Sequence, residues 1–593
     1  MTLRAAPLLT MSRFVVVAGV LGFVLLPPEL LYAGSTALVA GLIGLALFLP
    51  LAALRELPLN AAGLTGLGAY LFAKEAGPGG IGHNIEGVLI AVAVVTGLSI
   101  LGGAASLVVT GLYFAVASLV IQVGLEKVVF SIGSLTGGAA GRSVAQPSFR
   151  GWLNTQRAIY LIVGVIVLGL TVVVERLKTS RPVRHAILVG YVPDGARAVG
   201  VRSWVSKLAV FGVSGMLLGI AGCLTSFVNG TPPPPVVFSV VWSVIYLAIP
   251  IASGMREIPA IWVVAAVFTG LPILLESRQI NPNLLSGLIL LSALLLAQNR
   301  DNMAARVRRF RAGRPASRTS ASGGLAAVPA PAPAPARRTA GSGSATRALD
   351  LRTRTALPLE GRDITVDFGG VRAVSDVTVR IEPGQRVGIV GANGAGKTTL
   401  FNALTGYVPL SAGRVFLGDR DITGLASYMR SRAGIRRTFQ LPRLADVLTV
   451  GQSLRCGHGA ATPEALPRAE WLLDRFGLTE LEDLPVSAVP FGVRRKLELA
   501  RALLVVPDVL MVDEPVSGLE DHEVRELLQV LLELQESEGW GMLVIEHDLR
   551  FIRGVAQHLM VMDAGQVLTE GRTRAVLAED RVRRVYLGEV VNI

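Results

Sequence analysis

Apolar residues fill the first half of the chain in long runs rather than in alternation, and the runs have the length that a lipid bilayer demands. Stretches near the 20 or so residues a helix needs to cross about 30 Å of hydrocarbon fall at 14–32, 36–54, 87–111, 113–132, 158–175, 208–229, 236–253, 258–275 and 282–297. A shorter glycine-rich apolar piece at 62–73 predicts a re-entrant or tilted helix, which gives nine or ten membrane segments in an all-α polytopic domain. Gly and Ala recur within these runs, as close helix packing favours. After residue 298 the pattern changes. Residues 299–357 show no periodic apolar face and include alternating Pro-Ala from Pro329 to Ala336, which predicts a disordered tether. Beyond it, short buried-strand runs such as Arg386 to Val390 are followed by helical patterns such as Leu400 to Leu404. The chain thus divides into a membrane domain at 1–298, a linker at 299–357 and an α/β domain at 358–593.

Charge refines this picture. Hydrophobic residues make up 51% of the chain, too many for a wholly soluble protein. The net charge is +13, and the linker's twelve arginines set against Asp301 and Asp350 supply ten of those charges. The basic balance is therefore a linker property and predicts no nucleic-acid partner. A cluster beside a membrane fits contact with anionic lipid headgroups, and a solubilising, topology-fixing role fits it equally. The segment from Arg176 to Lys207 is basic, whereas 230–235 is an uncharged Gly-Thr-Pro-Pro-Pro-Pro turn. Basic loops stay cytoplasmic, and the four spans that follow return the chain to the same side, which predicts a multi-pass protein of the inner or plasma membrane with a cytoplasmic α/β domain. Arg4 and Arg13 precede an apolar run that continues into further spans, so it reads as a first membrane helix, not a signal peptide. Cys223 and Cys456 imply no disulfide framework. Glu126 and Lys127 sit within or at the end of an apolar run, where an ionisable residue is a functional-site candidate; adjacent on a helix and so about 100° apart, they are not expected to pair, and the favoured reading is a helix end at the cytoplasmic surface.

Three short segments carry chemistry. Residues 391–399 read Gly-Ala-Asn-Gly-Ala-Gly-Lys-Thr-Thr between a strand and a helix. Gly391, Gly394 and Gly396 let successive N–H groups face phosphates, Lys397 reaches the β- and γ-phosphate oxygens, and Thr398 offers a hydroxyl to Mg²⁺. The helix that opens there adds the positive end of its dipole. Asn393, Ala395 and Thr399 complete the candidate contacts, and the implied cofactors are ATP and Mg²⁺. The strand from Val509 ends in Asp513 and Glu514, Asp513 placed to hold the metal and Glu514 to orient the attacking water. A third apolar strand ends at Glu546 and His547, with His547 placed to contact the γ-phosphate.

With these residues the segment 358–593 resembles the ATPase subunit of ATP-binding cassette (ABC) transporters. The resemblance implies an α/β P-loop domain that hydrolyses ATP to drive transport. It makes Arg436-Arg-Thr-Phe-Gln440 the Q-loop, with Gln440 sensing Mg²⁺ and facing the membrane domain. It makes Phe368 the aromatic that stacks on adenine with Val374 beside it, Ser517-Gly-Leu519 the D-loop, and Arg494 to Arg501 the helix after the signature. The Arg-Thr-Phe-Gln string, Ile545-Glu-His-Asp548 and Tyr586-Leu-Gly-Glu589 are most similar to the branched-chain amino-acid importer branch. Residues 30–298 resemble that branch's permease through Gly66-Leu-Gly-Ala-Tyr-Leu-Phe-Ala73, Gly111-Leu-Tyr-Phe-Ala-Val116, Leu135-Thr-Gly-Gly138 and Ala196-Arg-Ala-Val-Gly-Val201, with 185–202 as a coupling helix docking beside Gln440.

The signature departs from the family. Its usual Leu-Ser-Gly-Gly-Gln falls on Val489-Pro-Phe-Gly-Val493, keeping only Gly492, and Pro490 offers neither hydroxyl nor N–H. Either the facing ATP site is weakened or the branch tolerates a loose signature. Family members hydrolyse ATP between two cassettes, so one permease with one cassette implies half a transporter. Its expected partners are a second permease–ATPase half, a heterodimer in preference to a homodimer, and an extracytoplasmic solute-binding protein. Branched-chain amino acids are the default solute. An exporter half, or a non-transporting ATP-driven regulator, are the alternative classes.

Overall fold

A computed structural model describes residues 27–76, 81–137, 142–146, 155–254, 258–276, 356–457, 459–460, 462–463 and 465–582. The span at 282–297, nearly all of the linker and Tyr586 to Glu589 lie outside these residues. Within the membrane domain, α1 (Pro28–Leu49) starts with proline at its first turn, where the missing N–H costs nothing. It runs into a wide π-turn, Pro50–Leu54, that Arg55 ends in a left-handed conformation (φ 59°). The boundary expected at 33–35 does not exist: Ala33-Gly34-Ser35 is helical, so 28–54 is one span. Small residues read as a break in water but serve as packing surface in a helix bundle.

After an extended break at 55–60 comes α2 (Ala61–Glu75), buried on nearly every side. Its 15 residues rise about 22 Å, short of a full crossing, as the apolar piece at 62–73 predicts. Against it pack α3 (Ile81–Ala104), α4 (Leu112–Lys127), α8 (Ser203–Asn229) and α9 (Val240–Ala252), and the domain also holds α5 (Thr155–Lys178), two short cytoplasmic-loop helices α6 (Arg181–Tyr191) and α7 (Pro193–Ala198), α10 (Ile258–Ala265) and α11 (Leu271–Glu276). Among the described residues five helices are long and apolar enough to cross a membrane, and Val240–Ala252 and Ile258–Ile273 are shorter apolar helices. Gly68 of α2 lies against the backbone of Gly219 in α8, where a side-chain carbon would sit 3.0 Å from the Gly219 carbonyl.

Lys127 does pair with Glu126, at 2.7 Å, because a four-carbon stem folds across the angle that separates the two Cβ vectors. Glu126 also accepts from the N–H of Val240 at 3.1 Å, which puts it at the end of the bundle bearing the 230–235 turn, opposite the basic loop. Deeper in the protein, the Lys207 ammonium meets the Glu56 carboxylate at 3.3 Å with side chains 11% and 3% exposed, and also donates to the Ser106 carbonyl. The other Glu56 oxygen accepts from the Gly111 N–H at 3.1 Å. This pair ties the break after α1 to the start of α8. Lys207→Met is expected to destabilise the chain by about 3–5 kcal/mol by stranding a buried carboxylate, and adding Glu56→Gln to recover much of it. Thermal unfolding in detergent checks both.

The C-terminal domain has two sheets. An antiparallel sheet orders β2 (Val371–Ile381), β1 (Leu359–Phe368), β4 (Ala412–Leu417) and β5 (Arg420–Asp421). The second orders β10 (Gln566–Arg572), β9 (His558–Asp563), β3 (Arg386–Gly391), β8 (Gly541–Ile545), β7 (Val509–Asp513) and β6 (Ile435–Arg437), all parallel except β10. The central strands are buried along their whole length, β7 and β8 without exception, as a sheet covered on both faces requires. Helices α12 (Lys397–Leu404), α13 (Ser427–Ala433), α14 (Val450–Leu454), α15 (Ala465–Arg475), α16 (Phe491–Ala502) and α17 (Asp521–Glu538) accompany it.

The basic loop of the membrane domain packs on this domain. Leu188, Ala196, Val199 and Val201 form one apolar cluster with Ala445, Leu448 and Cys456. Tyr407 donates its hydroxyl to the Asp194 carbonyl at 2.8 Å, Ser431 to the Ala198 carbonyl at 2.6 Å, and Arg432 to the Gly200 carbonyl at 2.7 Å. The coupling segment expected at 185–202 thus lies where the family resemblance puts it, with Gly195 against the backbone of Arg443, three residues from Gln440.

Candidate functional site

The crevice beyond the carboxyl ends of β3, β8 and β7 gathers the predicted residues, as open parallel sheets do with their ligands. The loop 391–396 leaves β3 and turns into α12 through Gly394 (φ 85°) and Gly396 (φ 93°), conformations that glycine adopts without strain. A side-chain carbon at Gly396 would strike the Ala373 carbonyl, and one at Gly394 would meet nothing. Among the described residues the N–H groups of Asn393, Gly394, Gly396, Lys397 and Thr398 have no protein acceptor. Five unpartnered donors at a helix start form a cradle for an anion. The Lys397 ammonium is fixed at its mouth, donating to the Gly391 and Ala392 carbonyls at 2.8 and 2.9 Å. Burial pushes that ammonium below the usual lysine range, against the pull of Glu514 and Asp513. Ala395 is buried under the loop and its carbonyl accepts from Gly565, while Thr398 faces outward.

Asp513 ends β7 almost fully buried, and burial raises its carboxyl above the usual range while Arg437 opposes the shift. Its oxygens accept no hydrogen bond from the described residues. A hydroxyl and a free carboxylate are the hard oxygen donors Mg²⁺ takes beside phosphates, so Thr398 and Asp513 fit that ion. Glu514 follows with φ 43°, a left-handed conformation for a non-glycine residue, held by its N–H on the Ile545 carbonyl at 2.9 Å. Its carboxylate lies between two side chains: Gln440 Nε2 at 2.7 Å and His547 Nε2 at 2.8 Å. The three residues proposed for catalysis, on three separate segments, therefore converge on one carboxylate.

Two supports were not foreseen. Arg495 of α16, fully buried, donates to the carbonyls of Phe439 (2.5 Å), Gln440 (2.5 Å) and Glu514 (2.9 Å) and meets Glu498 at 3.2 Å. Glu546 accepts from the N–H groups of Val516 (3.1 Å), His547 (2.7 Å) and Asp548 (3.2 Å), fixing both strand exits. A legible signal existed for Arg495, which shares the i, i+4, i+7 face of Leu499 and Ala502, an apolar stripe where an arginine needs buried partners.

The remaining candidates divide. Phe368 is 51% exposed and available to stack. Val374 is not: its side chain is wholly buried in the core with Ile364, Val366 and Phe401, so no nucleotide face is available to it. Gly492 sits in the first turn of α16, close under the Glu523 carboxylate, and Pro490 precedes that helix without a side-chain cap.

The sequence profile of ABC transporters matches residues 374–517. LivG of Escherichia coli K12, a high-affinity branched-chain amino acid transport ATP-binding protein, is 36% identical over 240 residues, covering 37% of this chain and 94% of that protein. BraF of Pseudomonas aeruginosa, of the same description, is 32% identical over 249 residues, covering 39% of this chain and 98% of its own. The chain belongs to the ABC transporter family. A crystal structure of the ADP conformation of an ATP-binding cassette from an ABC transporter is 30% identical, covering 40% of this chain and all of its own, with a TM-score of 0.36. The cassette binds nucleotide and hydrolyses ATP in support of transport, and the apolar helices make the chain a membrane protein with that cassette on the cytoplasmic side.

Proposed function

We propose that the chain is half of an ATP-driven importer, taking up branched-chain amino acids or a related small organic solute across the inner or plasma membrane. What carries this reading is the Glu514 carboxylate bracketed by Gln440 and His547 beside an open phosphate cradle, in a chain whose membrane domain docks next to Gln440. Backbone donors of 391–399 hold the phosphates, Lys397 neutralises their charge, and Phe368 stacks on adenine. Thr398, Gln440 and Asp513 would hold Mg²⁺, which supplies charge neutralisation between the phosphates when bound. Glu514 orients the attacking water with Gln440 and His547 fixing the carboxylate. The domains are the permease at 1–298, the tether at 299–357 and the cassette at 358–593. A second permease–ATPase half completes the complex, and Gly492 with its altered signature faces that half's nucleotide. A heterodimer fits this signature better than a homodimer, because self-pairing would put Pro490 in both sites. A separate extracytoplasmic binding protein delivers the solute.

The test reconstitutes the chain with its partner half in proteoliposomes and measures uptake of radiolabelled leucine with ATP and the binding protein. Uptake that requires both is expected. ATP turnover accompanied by solute leaving the cytoplasmic face, or by no solute movement, would remove the importer reading.

A further inference from the structure

The buried guanidinium of Arg437 lacks the partner that such a group ordinarily has. It sits at the end of β6, 6% exposed, and no carboxylate lies within salt-bridge distance among the described residues. Three aromatic rings surround it instead: Phe401 at 4.9 Å, Tyr407 at 4.5 Å and Phe439 at 4.4 Å from ring centre to guanidinium carbon. Its Nη1 donates to Asn402 Oδ1 at 2.8 Å and Thr405 Oγ1 at 2.9 Å. The carboxylates of Asp513, Glu498 and Asp194 act on it only from beyond salt-bridge distance, so the contacts that place this desolvated cation are ring faces and two neutral oxygens, and its position depends on where those groups stand.

The cage members belong to different machinery. Phe401 and Asn402 lie on α12, and Thr405 follows its last turn. That helix begins at Lys397 and Thr398, so one rigid rod of eight residues joins the cage to the phosphate cradle. Phe439 immediately precedes Gln440. The third ring, Tyr407, belongs equally to the membrane domain: its hydroxyl holds the Asp194 carbonyl at 2.8 Å, and the Arg197 guanidinium covers it at 5.2 Å. Arg197 is in turn held by the Asp194 carboxylate at 2.5 Å. Arg437 is thus touched on one side by the rod behind the nucleotide loop and on the other by the ring that α7 grips.

We propose that Arg437 is a positioning residue that couples the nucleotide loop to α7 of the membrane domain, with the Tyr407 ring as the intermediate part. This rests on the nucleotide-site reading of 391–399. Nucleotide on the cradle sets α12, α12 sets the Asn402 and Thr405 oxygens, and Arg437 carries that displacement to the ring under Asp194. Coupling between sites is reciprocal, so α7 seated on Tyr407 in turn biases the loop. Lysine keeps the charge but has neither the flat face nor the fork that this cage accommodates.

The experiment is hydrogen exchange by mass spectrometry on the full chain in lipid nanodiscs, with and without ATPγS and Mg²⁺, alongside titration with a fluorescent ATP analogue. In the wild type, nucleotide is expected to slow exchange at 193–201 by about fivefold or more, the lower end of ordinary coupling. Arg437→Lys should keep analogue affinity within about threefold and protection of 391–399 intact, yet lose the effect at 193–201. Tyr407→Ala should lose the same effect, and the double variant should lose nothing further, since one relay broken twice is not additive. An effect at 193–201 that survives in Arg437→Lys, or losses that add in the double variant, would overturn the relay. A wild type that binds nucleotide without any change at 193–201 would overturn it too, while leaving the nucleotide site standing.

Discussion

Glu514→Gln is expected to abolish ATP turnover while leaving nucleotide binding intact. The amide has the carboxylate's shape and keeps a carbonyl oxygen for the Gln440 amide, now at 2.7 Å. The cradle of N–H groups and Lys397 is untouched, so affinity for a fluorescent ATP analogue should change little. What disappears is the negative charge that orients and polarises water, an acid–base contribution of about 10²- to 10⁴-fold. The positive φ of Glu514 marks a backbone held in a costly conformation at a functional position, and glutamine inherits that strain without the charge. Turnover should therefore fall at least about a hundredfold in a preparation lacking any partner cassette. Appreciable residual hydrolysis there would sink the role assigned to Glu514.

Where sequence reading succeeded, the information was local. The strand, loop and helix at 386–404 lie within one short segment, and phosphate geometry dictates the residues between them. Asp513, Glu514 and His547 were readable for the same reason, as polar groups at the ends of wholly apolar strands. Failures have physical causes. Val374 depends on the phase of β2: Val377, Val379 and Ile381 face the core at alternate positions, but a bulge with Asp376 at φ 53° shifts the phase by one residue. Period-two alternation cannot reveal which side a residue beyond a bulge takes. The false boundary at 33–35 came from applying the turn habits of small residues in water to a bundle interior. Arg437 and Arg495 look like surface charge within arginine-rich strings, and only tertiary packing distinguishes the buried members from Arg494, which remains partly exposed.

Arg495→Met should be the most damaging substitution outside the nucleotide cradle, through two separable routes. Its guanidinium holds the carbonyls of Phe439, Gln440 and Glu514 together, so its loss frees the backbone on both sides of the Gln440–Glu514 contact. A displacement of about 1 Å at that carboxylate would cost on the order of 10²-fold in turnover. The second route is stability. Burial pushes the Arg495 guanidinium down and the Glu498 carboxyl up from their ordinary ranges, each opposed by the charge of the other. Removing the arginine leaves a carboxylate that is 2% exposed with the Arg443 N–H at 3.0 Å and the Arg501 charge to hold it, a loss of up to about 3–5 kcal/mol near neutral pH. The sign with pH follows from Glu498: a carboxyl whose folded pKa lies above its unfolded value favours folding when protonated, so the deficit should grow as pH rises through that folded pKa and shrink as pH falls. Adding Glu498→Gln should restore part of the melting temperature, because the carboxylate left without Arg495 is then gone, while the buried Arg501 guanidinium loses the Glu498 charge in turn. It should not restore turnover, because the three carbonyls remain unclamped. Recovery of both together would assign Arg495 to stability alone, and recovery of neither would remove the Glu498 account.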